Sequence, residues 1–489
     1  MSKTWSELYR NSYQEVSNNL KSINGIAVGF NTNVDAIYHM RSDVIVDMIN
    51  KLGIDSVALY KKVVKWKGII EDPEDYIAGL CGCFEKGKAS EWIIQNEETY
   101  NYLLENLPGE RTLRMGGQVG IMANVLSELG IPKVIVHTST LPKELKSLFV
   151  KNKNLVIPIH DKNGNITFTQ PRKVKSIDDS LFLHIISEID KGDGIKLGNI
   201  KWICPRNNRF IATFDPPNAK LDINLSFSDG INDIAKLTDV LIISGFHMLN
   251  SNELGIEGVK ERIKAVLDLI QQAKQANPLL IVHLELSSTK NEMILRELFN
   301  LSRKDEYLDS LGCNEVELAE VLNVIGESNL SKSISQEPTQ TKFLQGYLKI
   351  CQKLSLKRLH FHQYGSYVLL TKNGYLVSNE KLKQALCYAS IITAYKALTG
   401  ETKKKIDLDT NFDLQRLNSR LTKSFKEIAA ALDKENIIMK EEFLLKGITQ
   451  YDDYNLIVIP TVNVSKPKYT VGLGDTVSST TLAAEIALR

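Results

Sequence analysis

Long apolar runs are missing from this 489-residue chain. No stretch approaches the roughly 18 uninterrupted apolar residues of a membrane-crossing helix. A charge excess is missing too. Lys+Arg 60 against Asp+Glu 58 leaves a formal net charge of +2, so bulk basicity gives no argument for nucleic acid, while a local cationic pocket stays compatible with it. Cysteine is sparse, with 6 residues scattered at positions 81, 83, 204, 313, 351 and 387. A chain of this size folds without disulfide staples, and free cytosolic thiols are the plain reading. Cys81-Gly82-Cys83 has no second cysteine pair near it, which argues against zinc. Internal repeats and low-complexity tracts are absent. Residues 1–7 hold no apolar signal core, and the expectation is a cytoplasmic protein with no membrane and no nucleic-acid partner. What is there, 43% hydrophobic and 24% charged residues, fits one large globular domain with an insertion, or two to three domains.

Trp5, Leu8, Tyr9, Tyr13, Val16 and Leu20 recur at spacings of three and four, which predicts a helix over 3–21. A buried strand follows at 23–30, and a helix at 118–130 runs through Ile121, Met122, Val125, Leu126 and Leu129, closed by Gly130. Further strands read at 134–137, 239–244, 279–286 and 455–459, with helices at 257–275 and 291–302. Residues 359–362 and 367–370 read as neighbouring strands joined at Gly365. Continuous apolar strands between amphipathic helices predict an α/β sheet, mostly parallel and covered on both faces. Two regions differ. Residues 36–112 are irregular, and 156–215 alternate polar and β-prone residues. The expected division is a large α/β domain from 1–35, 113–155 and 216–489, and a discontinuous lid from 36–112 and 156–215. A closing lid would exclude water from a reaction in which water competes as acceptor.

The chemistry concentrates in short motifs. Gly472-Leu473-Gly474-Asp475 directly precedes a helical run. Its glycines let the backbone approach a ligand, and free N–H groups at a helix start form an anion site. Asp475 can accept a proton from an alcohol while those groups hold a phosphate; it also suits a simple helix cap. Asn31-Thr32-Asn33-Val34-Asp35 follows the first strand, where open α/β sheets bind ligands. Asn33 and Asp35 lie on one side of an extended chain and can hold vicinal sugar hydroxyls, or form an Asx turn. Gly116-Gly117-Gln118 offers close backbone and an amide, or a hinge. His283-Leu284-Glu285 and Asn314-Glu315-Val316-Glu317 put acidic groups at two strand ends, where they could hold a hydrated magnesium ion; the second is also a capping box. Residues 82–89 nearly match a P-loop, but Ala89 replaces the required hydroxyl and no strand precedes it. No complete G-x-G-x-x-G follows a strand, which disfavours a dinucleotide dehydrogenase. Arg206 and Arg209 suit phosphate, and Lys173 and Lys175 add cations.

Together, over most of the chain, these motifs resemble those of the ADP-dependent sugar kinases of the ribokinase-like superfamily, the archaeal phosphofructokinases and glucokinases. The resemblance implies a Rossmann-like, mostly parallel sheet with helices on both faces, a smaller α+β lid, and nucleotide binding by the large domain. It implies transfer of the β-phosphoryl of Mg-ADP with release of AMP. Asp475 would be the general base toward O1 of fructose 6-phosphate or O6 of glucose, ionised at neutral pH if it keeps a reference pKa of about 3.9. Gly472, Gly474 and the helix-start amides would stabilise the migrating phosphoryl, and Arg209 would reach the nucleotide phosphates. Asn33, Asp35, Gly116, Gly117 and Gln118 would contact sugar. Glu285, Glu317 and Asn314 would hold Mg2+ or another divalent cation, largely through water. His360, His362 and Val464 are candidates for the adenine pocket. Glu91 and His184 stand where glucokinases of the family contact glucose, whereas strict phosphofructokinases tend to carry alanine at the former. Arg206, with Lys173 or Lys175, offers charge to a 6-phosphate. The expectation is a glycolytic ADP-dependent 6-phosphofructokinase that also phosphorylates glucose, as a monomer or small homo-oligomer. A dedicated ADP-dependent glucokinase, an ATP-dependent ribokinase-like kinase and a catalytically silent sugar sensor remain open, since nothing in the residue chemistry excludes ATP.

Overall fold

Thr4 opens the first helix with a reciprocal capping box: Glu7 N donates to its hydroxyl and Thr4 N donates to the Glu7 carboxylate. The helix runs Trp5–Asn19 and buries Trp5, Tyr9, Tyr13 and Val16 on one stripe. The computed structural model to which it belongs describes residues 4–175, 177–289, 291–304, 307–464 and 466–489.

The next strand, Ile26–Gly29, lies inside an 11-stranded sheet. Parallel pairing runs from Leu155–His160 through Val134–Val136, Ile26–Gly29, Val240–Ile243, Ile281–Glu285 and Ser310–Cys313 to Arg358–Gln363. Every residue of Ile26–Gly29, Val240–Ile243 and Ile281–Glu285 is buried, as covered faces on both sides of a parallel sheet require. Antiparallel strands finish both edges, Ser366–Lys372, Tyr454–Pro460 and Ile448–Tyr451 at one and Ile166–Thr169 at the other. The Gly365 turn between the two neighbouring strands has φ 91°, the left-handed conformation that glycine adopts freely.

A second, 6-stranded sheet has the order Ile69–Ile70, Ser90–Ile94, Asn208–Thr213, Leu183–Ile189, Asn33–His39, Thr112–Gly116. Its membership departs from the expected division at Asn33–His39 and Thr112–Gly116, which run across the expected boundaries into the smaller sheet, and at two strands that leave it. The antiparallel strands Leu155–His160 and Ile166–Thr169 pair with each other on the larger sheet, because Leu155 and Val156 register against Val134 and Ile135. Alternating polarity marked them as half-solvated, which an edge of the larger sheet satisfies as well as a lid does. The first five residues of the P-loop-like stretch, 82–86, are the last turn of the helix Pro73–Lys86, ended by Gly87 in the left-handed conformation, so the stretch forms no phosphate loop. All six cysteines are free and buried. No helix among the described residues is long and apolar enough to cross a membrane.

Two helices fill the interior beside the larger sheet and pack along each other, Asn379–Thr399 and Leu473–Leu488. Residues 476–488 of the second are all buried. Its hydroxyl-rich turns tolerate this because Thr476, Ser479 and Thr481 donate back to the carbonyls of Gly472, Asp475 and Val477. Near its far end Glu485 meets Arg358 in a fully buried pair, with Nη2 to Oε1 at 2.7 Å and Nε to both oxygens at 3.0 Å. Breaking such a pair strands a buried charge. Glu485→Leu is therefore expected to lower stability by about 3–5 kcal/mol in urea denaturation, with Arg358→Met/Glu485→Leu recovering a large part of the loss. Equal losses in the single and double variants would show that packing, not the stranded guanidinium, sets the cost.

Candidate active site

The carboxyl ends of the parallel strands meet the start of the helix Leu473–Leu488. Gly472 precedes this helix at φ 68°, and no side chain caps it. Asp475 is the third helical residue, so its carboxylate is not consumed as a cap. It is half-buried. Burial and the nearby Glu285 charge push its pKa up to about 6, against the pull of Lys396, His362 and a hydrogen bond with Gln118. Its carboxylate is thus more basic than the ordinary one expected from sequence, and a smaller share of it is ionised near neutrality.

Below it, Glu285 gathers three strands and the helix. Its Oε2 accepts from Ser478 Oγ at 2.5 Å and His283 Nε2 at 3.1 Å, and its Oε1 accepts from His362 Nε2 at 2.9 Å. The His283 ring is held from its other side by Ser310 Oγ at 2.8 Å, and Ser310 Oγ accepts from Arg358 Nη1 at 2.9 Å. Burial opposes charge on Glu285, but the bonds from both histidines outweigh it and hold the carboxyl at about 2. Burial likewise opposes charge on His362, and Glu285, Glu317 and Asp475 raise it to about 9. His362 is therefore a cation lying against the glycine loop, where a Cβ on Gly474 would sit 3.1 Å from its Cε1. A Cβ on Gly312 would fall 1.9 Å from Glu285 Oε2. Sequence reading passed over Gly312, although a glycine inside a strand often marks such a close approach.

Asn314 and Glu317 form a full capping box: Asn314 Oδ1 accepts from Val316 N and Glu317 N, while Asn314 N and Nδ2 donate to the Glu317 carboxylate at 2.9 and 2.8 Å. Both Asn314 lone pairs are spent, so this residue orients Glu317 and is not itself a cation ligand. Burial pushes Glu317 up to about 7, and Glu320 behind it to about 7. Among the described residues no group of three or more His, Cys, Asp or Glu side chains could cage a metal. Two hard carboxylates on adjacent strand ends, one of them poorly compensated, instead fit a divalent cation held through water and ligand phosphate.

The sugar-side candidates sit where the chain crosses between sheets. Asn33 Nδ2 donates to Asp35 Oδ1 at 2.7 Å. Gly116 pairs with Asn33, and a Cβ there would lie 2.1 Å from Asp35 Oδ1; a Cβ on Gly117 would lie 2.4 Å from Asn31 O. The glycine pair thus makes room for the amide–carboxylate pair. His184, in register with Asp35, contacts Asp215 Oδ2 through Nε2 at 3.0 Å. Burial raises the Asp35 carboxyl while His184 and Arg209 counter it, and Glu91 adds to the rise, so these groups share one field. Gln118 Nε2 donates to Leu286 O at 2.8 Å, and its buried Oε1 has no partner among the described residues.

A cleft of 1140 Å³ separates the two sheets, lined from the smaller one by Asp35, Arg114, Arg206 and Arg209 and from the larger one by Lys396, Lys468 and Tyr469. Arg206 Nε donates to Gly87 O at 2.6 Å, and the Arg114 guanidinium stands 5.7 Å over the Tyr469 ring. Lys173 and Lys175 are exposed and absent from this lining; Lys173 ends the turn Pro171–Lys173 that follows the outer strand of the larger sheet. The strand that carries them off belongs to the larger sheet, which is why they part from Arg206. His360 is also misplaced by sequence reading. It shares a face with His362 but lies two residues deeper, about 7 Å, fully buried with neither ring nitrogen partnered among the described residues. Val464 is half-buried against the core and does not line the cleft. Arg114, Lys396 and Ser478 carry no motif and were not found by sequence reading. Gly312→Ala is expected to displace the Glu285 carboxylate and lower turnover about 100-fold, with the thermal transition still cooperative. Wild-type turnover in that variant would free the site from dependence on Glu285.

The conserved region of ADP-specific phosphofructokinase/glucokinase matches residues 24–484. The ADP-dependent glucose/glucosamine kinase of Pyrococcus abyssi is 31% identical over 488 residues, 99% of both chains. The ADP-specific phosphofructokinase of Methanosarcina acetivorans is 25% identical over 486 residues, 99% of this chain and 97% of its own. A solved ADP-dependent kinase complex with fructose-6-phosphate and ADPbetaS is 27% identical with a TM-score of 0.81, covering 99% of this chain and 98% of that one. The ribokinase-like α/β fold expected from the motifs is the fold observed. The chain belongs to the ADP-specific phosphofructokinase/glucokinase family and is an ADP-dependent sugar kinase.

Proposed function

We propose that this enzyme is an ADP-dependent 6-phosphofructokinase that also phosphorylates glucose. It takes the β-phosphoryl of Mg-ADP to O1 of fructose 6-phosphate, or to O6 of glucose, and releases AMP. The observation that carries the reading is Asp475, a desolvated carboxylate free of capping duty at the start of a buried helix. The lean toward the sugar phosphate rests on Arg114 and Arg206 in the cleft wall. The allowance for glucose rests on Glu91 in the field of Asp35 and His184. The free, buried thiols suit a cytoplasmic enzyme.

Asn33 and Asp35 bind sugar hydroxyls beside Gly116 and Gly117, and Gln118 Oε1 is the acceptor left over for a further hydroxyl. As the acceptor oxygen attacks phosphorus, its proton passes to a carboxylate oxygen of Asp475; the bond between the β-phosphorus and the bridging oxygen breaks, and that oxygen leaves with AMP. An alcohol is a very weak acid, so proton transfer accompanies attack. The amides at the start of Leu473–Leu488 and Arg209 hold the charge that develops on the phosphoryl oxygens. A divalent cation, when bound, neutralises phosphate charge, and Glu285 and Glu317 would hold it through water. Closure of the smaller sheet and its helices over the cleft excludes water as a rival acceptor.

Asp475→Ala is expected to lose about three or more decades of kcat with folding intact, read by AMP release with each sugar. Near-normal turnover would end the proposal. kcat/KM for both sugars with Mg-ADP decides specificity: activity on glucose alone would make the enzyme a dedicated glucokinase. The base acts only when deprotonated, so the acid limb of kcat/KM is expected to fall as pH drops through about 6, where the raised Asp475 titrates. A limb near 4 would show a solvated carboxylate instead.

A further inference from the structure

Lys396 ends at the reaction centre without belonging to any motif. It sits in the last turn of Asn379–Thr399, the helix that packs along the C-terminal one. Its Nζ donates to Thr476 Oγ1 at 2.9 Å, and that hydroxyl donates to Gly472 O at 2.6 Å. The ammonium therefore reaches the junction of the glycine loop and the helix start, one residue from Asp475. Among the described residues Thr476 is its one hydrogen-bond acceptor, which leaves its other N–H donors unspent. It lines the cleft across from Asp35, Arg206 and Arg209.

A half-buried ammonium with one neutral partner has lost hydration without gaining an anion. Burial accordingly draws its pKa down to about 8, and the charge of Asp475 only partly restores it. Asp475 and Thr476 approach it from the C-terminal helix, and the cleft it lines also carries Asp35 and Arg209 on the smaller sheet, Glu401 and Lys403 beyond its own helix, and Lys468 in the loop before the glycines. None of them forms an ion pair with it among the described residues. The ligand chemistry that would complete this environment is a phosphate oxyanion delivered to the helix start.

We propose that Lys396 supplies an ammonium from the larger domain to a phosphate oxygen at the reaction centre, facing the arginines of the smaller sheet. The proposal rests on the sugar-kinase reading of the same site. Two phosphates have this chemistry, the phosphoryl in transfer and the 6-phosphate of a sugar phosphate, and placement beside Asp475 favours the first.

Lys396→Met and Lys396→Gln are compared with wild type using Mg-ADP and either glucose or fructose 6-phosphate. Wild-type AMP formation tests the sugar-kinase reading by itself, and the variant-to-wild-type ratio tests Lys396. For the transferring phosphoryl, kcat is expected to fall about 10–100-fold with both sugars while each KM stays within about three-fold. Lys396→Arg, which keeps the charge, is expected to recover part of that loss. A rise in KM for fructose 6-phosphate alone, with glucose kinetics unchanged, assigns the ammonium to the 6-phosphate and retains the phosphate chemistry. Methionine removes a poorly solvated charge and breaks no ion pair, so Lys396→Met is expected to unfold at or above the wild-type temperature. Unchanged kinetics on both sugars, with a lowered unfolding temperature, would reduce Lys396 to a prop for the helix and overturn the proposal.

Discussion

One carboxylate, Glu285, organises the site. It accepts from Ser478 on the C-terminal helix, from His283 on its own strand and from His362 two strands away. Through His283 and Ser310 the same network continues to Arg358, which grips Glu485 on that same helix. Ser478 and Glu485 are about two helical turns apart, so the helix is pinned twice to one sheet. Hydrogen bonds to charged groups contribute about 1.5–3 kcal/mol each, while the buried pair contributes little net stability. What the network supplies is placement. It sets the helix start, and with it Asp475 and the glycine-loop amides, against the carboxyl ends of the parallel strands.

Placement also explains the electrostatics. Glu285 is satisfied by protein donors and stays strongly acidic, whereas Glu317 and Asp475 are buried without adequate partners and drift toward neutrality. Carboxylates in that condition lose their charge unless a cation arrives. Across the cleft, arginines from the smaller sheet face outward into 1140 Å³ of open space. Acidic groups on the strand ends and cationic groups on the walls are separated by the gap a phosphorylated ligand with its cation would bridge. The fold itself holds these opposite charges apart on fixed elements, a preorganisation suited to phosphoryl transfer.

The short motifs were legible because each depends on local geometry. Gly472 and Gly474 stand where a left-handed residue and a close histidine demand them, and Asn314-x-x-Glu317 caps the helix it announces. Strand and helix periods likewise located the parallel sheet. Misreadings arose where distance along the chain misleads. Lys173 and Lys175 follow a strand that joins the larger sheet, and the neighbouring histidines of Arg358–Gln363 differ only in depth, His362 reaching the site and His360 lying under it.

Composition, periodicity and motif order by themselves determined an α/β protein with a glycine loop opening a helix and acidic strand ends, since spacing of a few residues sets which side chains share a turn or a face. Tertiary structure alone decided which cations enter the cleft, that Gly312 must yield space to Glu285, and that Lys396 meets Thr476 across 80 residues of chain. Such meetings come from helix packing and strand order, and chain entropy leaves no trace of them in local spacing.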